Sequence, residues 1–357
     1  MSSDGNAHLD HLASIRMESG IALVHHGAPA ALHEAIRCFD EAIELRQRLP
    51  LAESPGSRYG LAAGWINRGD ALTRLGGSQD LADAVNSYTA AIELLKDLPA
   101  GDDGSFVRRL AIAWLNRGIA LEEQNTEQTL AAAMDSYKEA IQLLSCPRRT
   151  AAGKLKVVLA SAWVNLGNAL LRPAGRALAE EACGAAEQAL SLLAENEATE
   201  LAAAEAGLKA RHILCQAVTL FLDGGRHDAS TELDLIGKMT DVVEGALSLV
   251  RCWEKAGVTC FRPMATQFFH LGALAYEKYQ SHFLAEFLLD HLEPDWVTNF
   301  LPSSATWFMI AEESLARVRC GLRSCEFALL NTPQGIRRLE ILKEVRVVEE
   351  RLQMLRS

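Results

Sequence analysis

Large apolar, small and polar residues follow one another along this chain in a block that recurs. Trp65-Ile66-Asn67-Arg68-Gly69-Asp70-Ala71-Leu72 returns as Trp114-Leu115-Asn116-Arg117-Gly118-Ile119-Ala120-Leu121, and again as Trp163-Val164-Asn165-Leu166-Gly167-Asn168-Ala169-Leu170. A worn copy, Arg16-Met17-Glu18-Ser19-Gly20-Ile21-Ala22-Leu23, precedes them, so the glycines at 20, 69, 118 and 167 set a period of 49 residues. A second block keeps the same register. Ala35, Ala84, Ala133 and Ala182 form one series, and Phe39, Tyr88, Tyr137 and Ala186 another; Ala42, Ala91, Ala140 and Ala189 follow, with Ile43, Ile92, Ile141 and Leu190. A fixed period of this size signals stacked supersecondary units. Small residues at fixed places let two helices approach, and a large residue beside them fills the groove between ridges.

The spacing predicts helix pairs at 9–27 with 30–48, 57–76 with 79–97, 105–123 with 127–145, and 151–172 with 175–195. Pro50 to Ser57, Leu98 to Ser105 and Cys146 to Thr150 read as loops between pairs, and Ser78 as an N-cap. Residues 1–8 are polar and expected to be a flexible N-terminus, leaving 9–197 for four helix pairs. Past 197 the period weakens. Leu214-Cys215-Gln216-Ala217-Val218-Thr219-Leu220 falls 49 residues after the block at Asn165, which predicts a degenerate fifth pair whose second helix lies near 230–255. A sixth pair is expected around Leu271 to Leu292. The last helix, 334–356, gathers Leu339, Leu342, Val345, Val348, Leu352 and Leu355 on one face, fit to cap the stack or to pair with another helix. Residues 198–357 are thus read as degenerate pairs and an aromatic-rich helical end, because 251–330 hold 13 of the chain's 22 aromatic residues. Those rings are either a thicker core or a second surface, in which Trp296, Phe300 and Trp307 stand out.

Ala and Leu dominate the 357 residues and alternating strand patterns are scarce, so the fold class is all-α. The net charge of −11 argues against nucleic acid, whose binding needs a basic stripe to displace counterions. No apolar run is long enough to span a membrane, and the start of the chain has neither a basic stretch nor an apolar core like a signal peptide. The eight cysteines form no Cys-x2-Cys pair and are expected as buried thiols in a reducing cytoplasm. His25-His26 reads as a solvated turn.

The blocks resemble the tetratricopeptide repeat, whose pattern is Trp-x2-Leu-Gly-x2-Tyr, then Ala-x3-Phe, then Pro. Trp65, Gly69, Ala84 and Tyr88 match it, as do Trp114, Gly118, Ala133 and Tyr137, and Trp163, Leu166, Gly167 and Ala182. Gly20, Ala35 and Phe39 match in the first unit, with Arg16 for the Trp. Arg68 and Arg117 stand where the family has Leu, and each 49-residue unit is longer than the family's usual ~34. The resemblance covers roughly 10–197 and implies an α-solenoid of antiparallel helix pairs, a right-handed superhelix with a helical C-terminal cap.

It also implies a concave groove lined by first helices. Counting Trp as position four, the groove candidates are Ile66, Asn67, Asp70 and Arg74 in the second unit. Leu115, Asn116, Ile119 and Glu122 follow in the third, and Val164, Asn165, Asn168 and Arg172 in the fourth. Asn67, Asn116 and Asn165 would form a ladder of amides able to hold a peptide backbone, or would bond within the stack. The family's carboxylate clamp needs Lys and Arg at places that here hold Ile66, Ile112 and Asn165, so that clamp is not expected. A partly apolar peptide or an amphipathic helix fits the mixed groove better.

No phosphate loop, Gly-x-Ser-x-Gly or His-Glu-x-x-His motif occurs. His282, Glu286, Asp290 and His291 share a rough helix face, but no Glu-x-x-His motif accompanies them. The expectation is therefore a non-catalytic scaffold, adaptor or assembly chaperone for a protein or peptide, with no cofactor and no metal. The alternative is a regulator that responds to a peptide or small ligand.

Overall fold

The computed structural model describes residues 3–271, apart from 52–53, 99–104, 146–152, 173–177, 225–228, 262, 266 and 269–270. Among the described residues every regular element is a helix. The chain divides into two compact units, Met1–Pro173 and Ala174–Ser357. The expected sixth pair, the cap helix at 334–356, the His282 cluster, and Trp296, Phe300 and Trp307 lie outside the described residues.

The first unit holds α1 (Ser3–His26), α2 (Pro29–Gln47), α3 (Pro55–Leu75), α4 (Ser78–Leu95), α5 (Ser105–Glu123), α6 (Glu127–Leu144) and α7 (Gly153–Leu171). Helix α1 begins at Ser3, within the segment expected to fray. Several starts have a local cause. Pro29 and Pro55 occupy the first turn, where a missing N–H costs nothing, and the Ser54 hydroxyl accepts from the Ser57 N–H at 3.2 Å. That cap pulls Pro55 to Ser57 out of the expected loop and into the helix. Thr126 and Thr129 form a reciprocal capping box on α6. Ser78 is not the cap of α4. Gly77 is, because the chain leaves α3 through Gly76 in the left-handed region and Gly77 turns extended. Gly27, Gly76 and Asn125 all have positive φ, at 75°, 71° and 53°, and stand 49 residues apart. Glycine, and after it Asn, is the residue that tolerates this helix exit.

The pairs α1/α2, α3/α4 and α5/α6 pack together, and each second helix also packs on the next first helix. The tight point in every pair is a glycine facing a ring. A Cβ on Gly20 would lie 2.5 Å from Phe39, on Gly69 2.7 Å from Tyr88, and on Gly118 2.4 Å from Tyr137. The three rings are fully buried, and each contributes roughly 1.5–3 kcal/mol by leaving water. Ala35, Ala84, Ala133, Ala42, Ala91 and Ala140 have no exposed surface at all. One apolar cluster joins α3, α4 and α5 through Ile66, Tyr88, Ile92 and Leu110, and another joins α1, α2 and α3 through Met17, Phe39 and Ala71. The core thus runs through the stack rather than closing within a pair.

First helices touch one another across pairs, α1 with α3, α3 with α5 and α5 with α7, while second helices make no contact of that extent. The first-helix side is therefore the inside of this unit's curve, as in other stacked helix pairs.

The second unit holds α8 (Ala179–Leu193), α9 (Leu201–Gly224) and α10 (Ala229–Lys255), each packed on the next. Glu197, in the turn before α9, takes both guanidinium nitrogens of Arg211 at 2.7 and 2.9 Å. Its carbonyl accepts from Trp253 Nε1 at 2.8 Å, so one residue ties the turn to α9 and α10. Gly207 leaves room for that carboxylate: a Cβ there would lie 1.7 Å from Oε1. Cys38, Cys183 and Cys215 are buried thiols, and burial pushes Cys215 up to about 12. Cys252 and Cys260 are exposed, contrary to the expectation for all the cysteines. Cys252 falls near the end of α10 and Cys260 just past it.

Replacement of Gly118 by Ala will overpack the ring of Tyr137 and destabilise the chain by about 1–3 kcal/mol. Most of that loss disappears when Tyr137→Leu is also present. Urea denaturation of both single variants and the double variant measures the coupling; additive losses contradict the contact.

Candidate functional site

The inner side of the first unit gathers many of the groove candidates. Ile66, Asn67 and Asp70 of α3 and Ile112 of α5 line a cleft of about 270 Å³, together with Tyr59, Ser105, Arg108 and Arg109. Asp70, Arg74, Asn116 and Ile119 line a second cleft of about 240 Å³ with Thr73 and Tyr88. Asp70 is common to both.

Asp70 is the centre of a hydrogen-bonded station. Its Oδ1 accepts from the Tyr88 hydroxyl at 2.7 Å and from Asn116 Nδ2 at 2.8 Å. The first bond closes the pair α3/α4 and the second joins α3 to α5. Burial raises the Asp70 pKa, against the pull of these two donors and of Arg74. Burial and the Asp70 charge together push the Tyr88 phenol up.

A second station repeats this chemistry one helical turn later. Glu122, buried, accepts from the Tyr137 hydroxyl at 2.8 Å and from Asn168 Nδ2 at 2.7 Å. Arg172 reaches the same carboxylate at 3.1 Å and Asn125 Oδ1 at 2.9 Å. Asn116 and Asp70 are 46 residues apart, and so are Asn168 and Glu122. A groove amide is tied into the stack when the residue 46 before it is an acid. Asn67 and Asn165 have Ile21 and Ile119 at that place, and both are half-buried with no hydrogen bond among the described residues. The three amides at one register thus have different fates: Asn116 is committed to Asp70, while Asn67 and Asn165 keep their donors and acceptors. Leu115 and Ile119 are half-buried, Val164 is buried, and Asn168 and Arg172 are exposed.

Arg68 and Arg117 were visible in the sequence only as departures from the family's Leu. Here they are stitches. Arg68 donates to Asp40 of the preceding pair at 2.7 Å and to Ser87 of its own pair at 2.8 Å. Arg117 donates to Thr89 at 3.2 Å and to Ser136 at 2.7 Å, the equivalent places one unit on. Both guanidinium groups lie over the tryptophan three residues before, at 5.8 and 5.5 Å from the ring centre. The signal that could have found them was the matching pair Ser87 and Ser136, both fully buried. Arg46 does the same work at the first junction, reaching Asp10, Ser14 and the Gly60 carbonyl.

The groove side thus carries amides without a hydrogen bond among the described residues, two carboxylates already held by donors, and apolar walls. Among the described residues no group of His, Cys, Asp and Glu is placed to hold a metal, and no helix is long and apolar enough to cross a membrane.

No protein-family model and no curated relative matches the chain. Solved structures of helical repeat proteins do. BtubC from P. vanneervenii is similar at 13% identity, with 85% of this chain and 95% of that one covered and a TM-score of 0.48. The S. pombe nuclear import adaptor Nro1 is similar at 14% identity, covering 94% and 98%, with a TM-score of 0.41. Yeast Tom70 is similar at 12% identity, covering 97% and 89%, with a TM-score of 0.26.

The raised Asp70 pKa has a sign. The folded state favours the neutral acid, so this residue's contribution is fully present below the ordinary value of 3.8 and is lost as pH rises through the folded value. Asp70→Asn keeps an acceptor for Tyr88 and Asn116 without that loss. Wild type will therefore lose stability relative to Asp70→Asn as pH rises from acid to neutral. Denaturation of both chains across that range is the check, and a wild type that gains on the variant refutes the assignment.

Proposed function

We propose that this chain is a non-catalytic protein-interaction scaffold of the tetratricopeptide type with a lengthened repeat. Its first-helix groove holds a peptide or a partner's helix, in the manner of an adaptor or assembly chaperone. The reading places it in the cytoplasm, without nucleic acid, membrane, cofactor or metal, and takes 9–197 as four units and the remainder as degenerate units with a helical end.

The observation that carries the proposal is Asn67. Its amide is half-buried in the cleft between α3 and α5, beside Ile66 and Ile112, and makes no bond to the protein among the described residues. A primary amide offers two donors and an acceptor, the complement of a peptide group. Apolar walls on both sides exclude water from that bond and seat a side chain.

A library of random twelve-residue peptides displayed on phage and panned on the full chain tests this reading. Synthetic copies of the selected peptides will bind at least about tenfold more weakly to Asn67→Ala/Ile112→Ala than to wild type, reflecting one lost hydrogen bond and one lost apolar contact. Equal affinity for both proteins, measured by fluorescence anisotropy, places the binding elsewhere and refutes the groove.

A further inference from the structure

We propose that the cleft between α3 and α5 is selective for an acidic peptide, with Arg108 and Arg109 holding the carboxylate of an Asp or Glu side chain. The inference rests on the groove reading and names the chemistry of its ligand.

Two neighbouring arginines stand in the wall of this cleft. Arg108 is exposed and Arg109 half-buried in the cleft wall, and neither makes a hydrogen bond or an ion pair among the described residues. The guanidinium groups of Arg68, Arg117, Arg172 and Arg211 are each taken by a carboxylate, hydroxyl or amide oxygen, while Arg58 also keeps a buried Nε without a hydrogen bond among the described residues. The repeat does not ask for arginine at these places. One unit earlier the equivalent residues are Tyr59 and Gly60, and one unit later Val157 and Val158. The helix does not favour them either, since α5 begins at Ser105 and carries no acid in its first turn to offset cations at its positive end.

Arg109 is held ready. The Arg109 guanidinium lies 4.2 Å from the centre of the Tyr59 ring, and that ring packs on Phe106 at 5.1 Å. A guanidinium fixed over an aromatic face keeps its fork available and loses little freedom on binding a planar carboxylate. Arg108, one residue earlier, adds a second charge at the same end of the cleft.

Asp70 lines this cleft too, but at its other end. It lies eleven residues beyond Tyr59 along α3, about 16 Å at the rise of a helix. The cleft is therefore basic where α5 begins and acceptor-rich where Asp70 and Asn116 meet. An extended peptide of about five residues spans that distance. Its acidic side chain sits at the arginine end, and its backbone passes Asn67. Tyr59, Ser105, Phe106, Arg108 and Arg109 all precede Ala62 and Ala111, the first positions of the family's pattern. The anion end is thus built by the lengthened start of the first helices and is separate from the places of the family's clamp.

The panned library supplies the test. Peptides selected by the wild-type chain will be enriched in Asp or Glu at one position. Changing that residue to Gln or Asn in the synthetic peptide will weaken binding to wild type at least about tenfold, the value of a charge-assisted bond. On Arg108→Gln/Arg109→Gln the same change will cost less than about twofold, and on Arg108→Gln alone, an exposed position that leaves the fold untouched, an intermediate amount. Absence of acidic enrichment, or a penalty that persists in the double variant, overturns the inference. Either result leaves the groove reading standing as long as Asn67→Ala/Ile112→Ala still weakens binding. Failure to select any peptide removes both.

Discussion

Everything in the first unit depends on how closely two helices can approach at a glycine. At Gly20, Gly69 and Gly118 the partner helix lays an aromatic ring where a side chain would begin. That contact fixes the separation of the pair and therefore the place of every residue one turn away. With their rings seated at the glycines, the Tyr88 and Tyr137 hydroxyls reach Asp70 and Glu122. Phe39 has no hydroxyl, and the first pair has no such station. Instead it is joined forward by Arg46, a charged residue where the later units carry Leu95 and Leu144.

Between pairs the stack is held by polar groups as well as by apolar surface. Arginine stitches cross the first two junctions on one side, Arg68 to Asp40 and Arg117 to Thr89, and amide–carboxylate bonds cross the second and third on the other. The carboxylate moves by one helical turn between junctions, from the Asp70 place to the Glu122 place, and its amide partner moves with it. The spacing of 46 is kept while the register shifts. A buried polar group without a partner costs about 1–3 kcal/mol, so the two must change together.

Much of this was legible in the sequence. The helix pairs, the glycines and the rings that face them recur in phase, and packing leaves few other ways to explain a small residue so regularly opposite a large one. The boundaries were less legible, because a single cap such as Ser54 shifts a helix start by two residues and a left-handed glycine such as Gly76 moves the cap of α4 off Ser78. The groove was legible as a surface but not in its details. Asn67, Asn116 and Asn165 are the same letter at the same register, and their fates differ because of a neighbour 46 residues away. Arg68 and Arg117 could be seen to break a pattern, yet not to bind serines nineteen residues on. Arg108 and Arg109 gave no signal, because they belong to no repeat position. The ring of Tyr59 lies beneath Arg109, a contact that only the fold creates.

The proposed groove puts the working surface on the first-helix side of pairs locked at their glycines. Amide hydrogen exchange of the full chain, with and without a saturating peptide selected on it, tests this most directly. Slower exchange is expected in peptides from α3 and from α5, where the cleft residues lie, with no change in α2, α4 and α6. Slower exchange confined to the second helices, or to residues 229–255, would place the ligand on another surface and contradict it.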